Sequence, residues 1–563
     1  MDRSLNQEAA PGRRLRWKAL GARRVVGAAA ALFLCSALGA TGPSSPIGER
    51  IYREGLLASG EPLRGERVGA QSLQGREAAC VQCHRRSGLG MVEGKIVIPP
   101  IAGRLLFAPG RRIAPDSPAH GDATHLPPTP LNRGAYDQAS LARAIREGVG
   151  ANGQPLDYLM PRFDLDDASM HELIAYLRRL STGRVPGVTD STLNFATIVT
   201  PDADPVERRG MLDVLDNYFA TNNESYYAAR PTPSPGGRPV LLHRQWRLHV
   251  WQLSGAPDTW EAQLDQHLRA EPVFAVLSGL GASHWEPVHR FCERQSIPCL
   301  LPNVDLPVVG ADDVYPIYFS QGVLLEAGLI ATRISQAGTG NDGKARIVQV
   351  FRDNDIGAAA AARLRAAVAD RTECVDRVLG PGDGPRELAR AVQDVTSADI
   401  LVLWLRAADL QALPAPVGGI SALYASGVMG GLEQAPLAPA WRSLARITYP
   451  FALPDERSLG LGYPFGYFHQ HRIPVVAERV QVDTYIACTV LSQALTSMLG
   501  EFERDYLVER VEALLESRMF NGYYSRLGLA PGQRFASKGG YVVRFAEPTG
   551  VRIAADSDWI VPP

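Results

Sequence analysis

The residues best suited to chemistry stand together at Cys80-Val81-Gln82-Cys83-His84. Two thiols three positions apart on a tight helical turn can add to the two vinyl groups of a haem, and the adjacent imidazole then serves as the proximal ligand to the iron. Two rival chemistries use similar residues. A zinc half-site needs a second pair of ligands, and a thioredoxin-like pair needs a strand before it and a helix after it. Neither context is evident around these residues, so the motif is read as the attachment site of one covalently bound haem c. It occurs once in the chain, which argues against di-haem peroxidases and multihaem conduits.

A low-spin iron also needs a sixth ligand, and a thioether is a common choice because it favours the ferrous state. Met160 lies in Leu159-Met160-Pro161-Arg162-Phe163, a proline-marked extended segment ahead of a helix, and is the expected ligand. Met170 shares a helical face with Leu173, Ile174, Leu177 and Leu180 and reads as core. Met91 follows His84 too closely to reach the opposite haem face. His120 and His125, in the Pro- and Gly-rich stretch from Leu105 to Leu131, compete with Met160 as distal ligands, and a bis-histidine iron would have a lower potential.

Around this motif, residues from about Ile47 to Ser181 resemble the class I cytochrome c family. The landmarks are Pro99-Pro100-Ile101-Ala102-Gly103 after the haem motif, a helix over Ser140–Val149 followed by Gly153-Gln154-Pro155-Leu156 and Met160-Pro161, and a last helix from Asp164 to Leu180 carrying Tyr176. The resemblance implies an all-α cytochrome c domain over residues 41–185, with the Pro99 carbonyl accepting the N–H of the proximal imidazole. It also implies His84 and Met160 as axial ligands.

Upstream, Arg13, Arg14, Arg16, Lys18, Arg23 and Arg24 precede the apolar run Val25 to Leu38, and small residues follow. That order is a secretory signal, with residues 1–40 as the signal peptide and cleavage near Ala40; an uncleaved membrane anchor is the alternative. Leu34 before Cys35 does not suit a lipoprotein site. Cleavage would leave no integral membrane span, and export places the chain in the periplasm. An oxidising compartment favours disulfides. Cys292 and Cys299 are placed for a local bridge, whereas Cys374 and Cys488 have no evident partner. With 21% charged residues and a net charge of −1, no global field favours nucleic acid.

From Leu193 onward, short apolar runs alternate with amphipathic helical stretches, the pattern of α/β lobes with parallel sheets. Strands are expected at 238–243, 273–277, 299–301, 345–351 and 398–404, and helices at 260–268, 284–295, 358–368 and 407–412. Over residues 186–563 this order resembles type I periplasmic binding proteins of the branched-chain amino acid receptor group, the substrate-binding components of ABC transporters. The carrying segments are Phe274–Ser283, Ser296–Leu301, Gln349–Gly357 and Gln481–Ala487. The fold class expected for the whole chain is therefore an all-α cytochrome c domain followed by a two-lobed α/β domain.

In such folds the ligand sits between the lobes, beyond the carboxyl ends of the strands. Ser278, Gly281, Ala282 and Ser283 are the candidate ligand loop, suited to a small carboxylate or alcohol-derived molecule; an ordinary βα turn is the alternative. Asp353, Asn354 and Asp355 either face the same cleft or cap a helix. His469 and His471 read as surface residues rather than a metal site. No nucleophile elbow, zinc motif or phosphate loop is present, so turnover is not expected. The function expected is electron transfer: one haem accepts electrons from a periplasmic dehydrogenase and passes them toward an oxidase. The alternative is a receptor for a small organic solute whose haem reports redox state.

Overall fold

The computed structural model describes residues 47–563 apart from 68, 70–71, 94–95, 111–132, 229–243, 311, 338–345, 417–418, 521 and 531. The signal peptide, Cys35, His120, His125, most of the 105–131 stretch and the strand expected at 238–243 lie outside the described residues.

The N-terminal module contains helices α1 (Ile47–Glu54), α2 (Val81–His84), α3 (Gly103–Leu106), α4 (Gln138–Glu147) and α5 (Asp167–Arg179). Its core is the crossing of α1 and α5, where Ile51 and Tyr52 meet Leu173, Ile174 and Leu177. Gly48 makes that crossing possible, since a Cβ there would lie 2.1 Å from the Glu172 carbonyl oxygen. Local chemistry sets the helix ends. Asp137 and Ser140 form a capping box at the start of α4, Gly148 closes it at φ 73°, and Asp166 accepts the Ser169 N–H ahead of α5.

The all-α expectation for this module is corrected. Strands β1 (Arg64–Glu66), β2 (Ser72–Gln74) and β5 (Arg162–Asp164) form an antiparallel sheet in the order β2-β1-β5, and β3 (Met91–Glu93) pairs with β4 (Ile96–Ile98). Each of β1, β2 and β5 is three residues long and turns one residue inward. That is too little alternation for a period of two to show in the sequence.

Pro46–Pro563 form one unit, in which two α/β lobes follow the N-terminal module. The first sheet contains β6 (Thr192–Val199), β7 (Gln245–Gln252), β8 (Ala275–Leu277), β9 (Leu280–Gly281), β10 (Cys299–Leu300), β11 (Asn303–Val304) and β12 (Pro316–Ile317), all parallel. β8 and β9 run as one strand broken at Ser278 and Gly279, which take φ 54° and 123°, and both halves pair with β6. The second sheet runs β14 (Cys374–Leu379), β13 (Ile347–Arg352), β15 (Ile400–Trp404), β16 (Ala422–Ala425) and β17 (Ala445–Tyr449) in parallel, then β18 (Tyr541–Phe545) and β19 (Ile553–Ala555) antiparallel. Every residue of β15 is buried, as befits a parallel strand covered on both faces.

The chain passes between the lobes three times. It leaves the first sheet after β12, leaves the second after β17, and returns to it at β18 after the helices Glu478–Ser497 and Arg504–Ser517 have packed on the first lobe. The crossing segments lie side by side. Tyr318 N–H donates to the Arg534 carbonyl (2.8 Å), Ser537 N–H to Phe319 (2.6 Å) and Ala452 N–H to Tyr523 (2.8 Å). These contacts define a three-segment hinge.

Candidate functional site

In the N-terminal module, α2 is a single turn whose first free carbonyl, Cys80, accepts the N–H groups of Cys83 and His84. This places the two thiols and the imidazole on one turn, with Cys83 and His84 adjacent. Cys80 and Cys83 are free thiols, and burial pushes the Cys80 thiol up to about 12, with Cys83 adding to the effect. His84 is buried and its Nδ1 lies 3.0 Å from the Pro99 carbonyl oxygen. Burial pulls its pKa down to about 4 while the Pro99 hydrogen bond opposes the shift, so the ring is neutral, donates from Nδ1 and keeps its lone pair on Nε2.

Pro99 is brought to His84 by Gly88, whose carbonyl accepts the N–H groups of Ile101 (2.7 Å) and Ala102 (2.9 Å). Gly88 has φ 68°, and a Cβ there would meet the Leu180 side chain at 2.4 Å.

Met160 is partly buried against the same core as Cys80, Val81, Ile101, Phe107 and Leu156. Met170 is buried on the inner face of α5, and Met91 lies in the β3–β4 hairpin. Among the described residues no three His, Cys, Asp or Glu side chains gather as a metal-ligand group. Cys80, Cys83 and His84 therefore do not converge as a zinc set would. The donor set fits a covalently held haem: two free thiols on one turn, a neutral imidazole oriented by its other nitrogen, and a thioether partly buried against the same core.

Between the lobes, the residues singled out by sequence take different roles. Ser278 is buried, and its hydroxyl lies 3.3 Å from Thr484 Oγ1 and accepts from Asn303 Nδ2 at 2.9 Å. Gly281 belongs to β9 and lies against Trp285, where a Cβ would come to 2.8 Å. Ser283 N–H donates to Asp202 Oδ2 at 3.0 Å, and Asp202 also accepts from the Thr200 hydroxyl. Ala282 joins these two positions. Ser283 lines an interlobe cavity of about 560 Å³ with His284, Trp285 and Pro307 of the first lobe and Asn354 and Ile356 of the second.

On the second lobe, Asp355 accepts the Ile356 N–H at the start of the Ile356–Val368 helix and is held by both arms of Arg406. Asp353 is tied to β14 through its backbone, its N–H donating to Leu379. His469 is exposed and the His471 ring packs 4.2 Å from Tyr467.

Sequence reading missed the ionisable groups around this cleft. Arg406 feels Asp305 and Asp202 of the opposite lobe, and Arg479 pairs with Asp305 at 3.1 Å. Burial pushes the Asp483 carboxyl up to about 7, Arg479 holding it down. These residues come from separate loops and one helix start. Only the family-like segment Gln481–Ala487 hinted at any of them.

The fold is one of two α/β lobes with a cavity between them. Among solved structures the chain is similar to a fatty acid ABC transporter substrate-binding protein from Thermomonospora curvata, at 14% identity over 67% of this chain and 95% of that one, TM-score 0.47. It is also similar to a leucine-binding protein from Thermotoga maritima (14% identity, 66% of this chain, 99% of that one, TM-score 0.44). A branched-chain amino acid ABC transporter protein from Thermus thermophilus with bound valine gives 11% identity over 66% and 97%, TM-score 0.46. No protein-family model and no curated protein matches the chain. Among the described residues no helix is long and apolar enough to cross a membrane.

Proposed function

We propose that this chain is an exported, periplasmic receptor for a small organic solute whose N-terminal module carries one covalently bound haem c. The observation that carries the reading is the joining, in one chain, of a C-x-x-C-H turn with an oriented, buried imidazole to a two-lobed fold with an interlobe cavity. Cys80 and Cys83 would hold the haem, His84 and Met160 would ligate its iron, and Pro99 fixes the His84 tautomer. When bound, the haem supplies a one-electron couple. The chain's own residues orient the ligands and shield them from water.

The solute reading rests on Ser283, Asp202 and Arg406. The Ser283 amide is already taken by the Asp202 carboxylate and the Arg406 guanidinium by Asp355, so a solute carboxylate would have to compete with Asp355 for Arg406, which is partly exposed. A second reading, electron transfer between a periplasmic dehydrogenase and an oxidase, is favoured by the thioether of Met160, partly buried against the same core as Cys80.

The test is the visible spectrum of the purified exported protein, oxidised and reduced, with a screen of small carboxylates and alcohols followed by calorimetry. The receptor reading expects covalent haem, lost in the Cys80→Ala/Cys83→Ala variant, and saturable binding of a solute that does not reduce the iron. Absence of covalent haem sinks the haem assignment. Reduction of the iron by a solute alone makes the chain an oxidoreductase instead.

A further inference from the structure

The haem-attachment turn is docked on the first lobe through buried hydrogen bonds and ion pairs. Ser87 gives its N–H (2.9 Å) and hydroxyl (2.6 Å) to Glu509 on the Arg504–Ser517 helix. Two positions nearer the motif, Arg85 pairs with Glu512 of the same helix, and Glu512 pairs in turn with Arg534. Glu512 is 4% exposed and Arg534 6% exposed, so the second link is closed to water.

Arg534 belongs to a hinge segment. Its guanidinium donates to the Val314 carbonyl (2.6 Å) and its own carbonyl accepts the Tyr318 N–H (2.8 Å), so it ties two crossing segments together. Two successive ion pairs thus connect the residue after His84 to the hinge.

An independent feature marks the same place. Arg85 takes φ 64° and ψ 174°, a region almost confined to glycine. Such a conformation persists only where its surroundings over-determine it. The Tyr52 hydroxyl donates to the Arg85 carbonyl (2.7 Å), and Glu512 holds the side chain. Because interiors are close-packed, Glu512 cannot follow a displaced Arg85 without moving Arg534 or losing it.

We infer that Arg85–Glu512–Arg534 is a relay coupling the haem-binding turn to lobe opening, so that iron redox state and solute binding influence each other. The inference rests on the haem reading above. Linkage makes it reciprocal: if the oxidised and reduced turns favour different lobe positions, solute closure must shift the reduction potential.

The experiment is hydrogen–deuterium exchange of the full exported protein, poised with ferricyanide or dithionite, with haem content measured by its pyridine haemochrome spectrum. In the wild type, amides of 318–322 and 534–540 are expected to exchange at different rates in the two redox states. In Arg85→Gln, loaded with haem to the same level, that difference is lost. Glu512→Gln, which keeps a hydrogen-bonding side chain beside Arg534, serves where Arg85→Gln does not fold and gives the same loss.

Hinge exchange indifferent to redox state in haem-loaded wild type overturns the relay and leaves the haem reading standing. So does a redox difference that survives either variant. A chain that attaches no haem overturns both.

Discussion

Replacing Glu509 with glutamine tests the energetics of the contact between the N-terminal module and the first lobe. Burial pushes the Glu509 carboxyl from about 4.5 up to about 7, with Arg85 and the two Ser87 hydrogen bonds holding it down. That displacement, at ~1.4 kcal/mol per pH unit, amounts to about 3 kcal/mol. Between pH 4.5 and 7 the folded chain keeps a proton that the unfolded chain releases. This contribution to stability is therefore complete below pH 4.5 and is lost as pH rises through 7. The amide of the Glu509→Gln variant does not titrate. The unfolding free energy of the wild type minus that of the variant should fall by about 3 kcal/mol between pH 4.5 and pH 8. Glu326, Asp483 and Glu503, also pushed up to about 7 by burial, are present in both proteins and cancel in the difference. Urea titrations followed by tryptophan fluorescence at matched haem content measure it. Parallel stability–pH curves would refute the claim that Glu509 is buried with its proton.

Ser278→Ala removes the nearest of three acceptors around Asn303 Nδ2 inside the first lobe and should cost ~1 kcal/mol in denaturant titrations while leaving solute affinity unchanged; weakened binding would return Ser278 to the ligand site. Cys292 and Cys299, seven residues apart, are joined in a disulfide, and Cys292→Ser should lower stability by roughly 2–3 kcal/mol on chain-entropy grounds, read as a drop in Tm. Met160→Ala should leave covalent haem content intact but abolish the weak far-red thioether-to-iron band; a band that persists would exclude Met160 as the ligand.

What the sequence determined by itself was local. The C-x-x-C-H turn places two thiols and an imidazole within five residues, and helical geometry then leaves little freedom in their arrangement. Continuous apolar strands such as β15, and the helical faces of α5 and the Ile356–Val368 segment, carry their periods in the chain. The Cys292–Cys299 pairing spans one helix-to-strand corner. The three-residue strands of the N-terminal module carried too short a pattern to read.

Tertiary structure alone decided where distant groups meet. Ser278 looked available in a glycine-rich loop, but the break between β8 and β9 turns it toward Thr484, 206 residues away. Ser283 acquires a carboxylate partner 81 residues earlier, and Arg85 acquires one 427 residues later. The Ser283 pairing joins two loops of one sheet, and the pairings of Ser278 and Arg85 depend on the chain's return from the second lobe to the first. No short-range period encodes them, because they are set by the packing of whole elements rather than by the spacing of neighbouring residues.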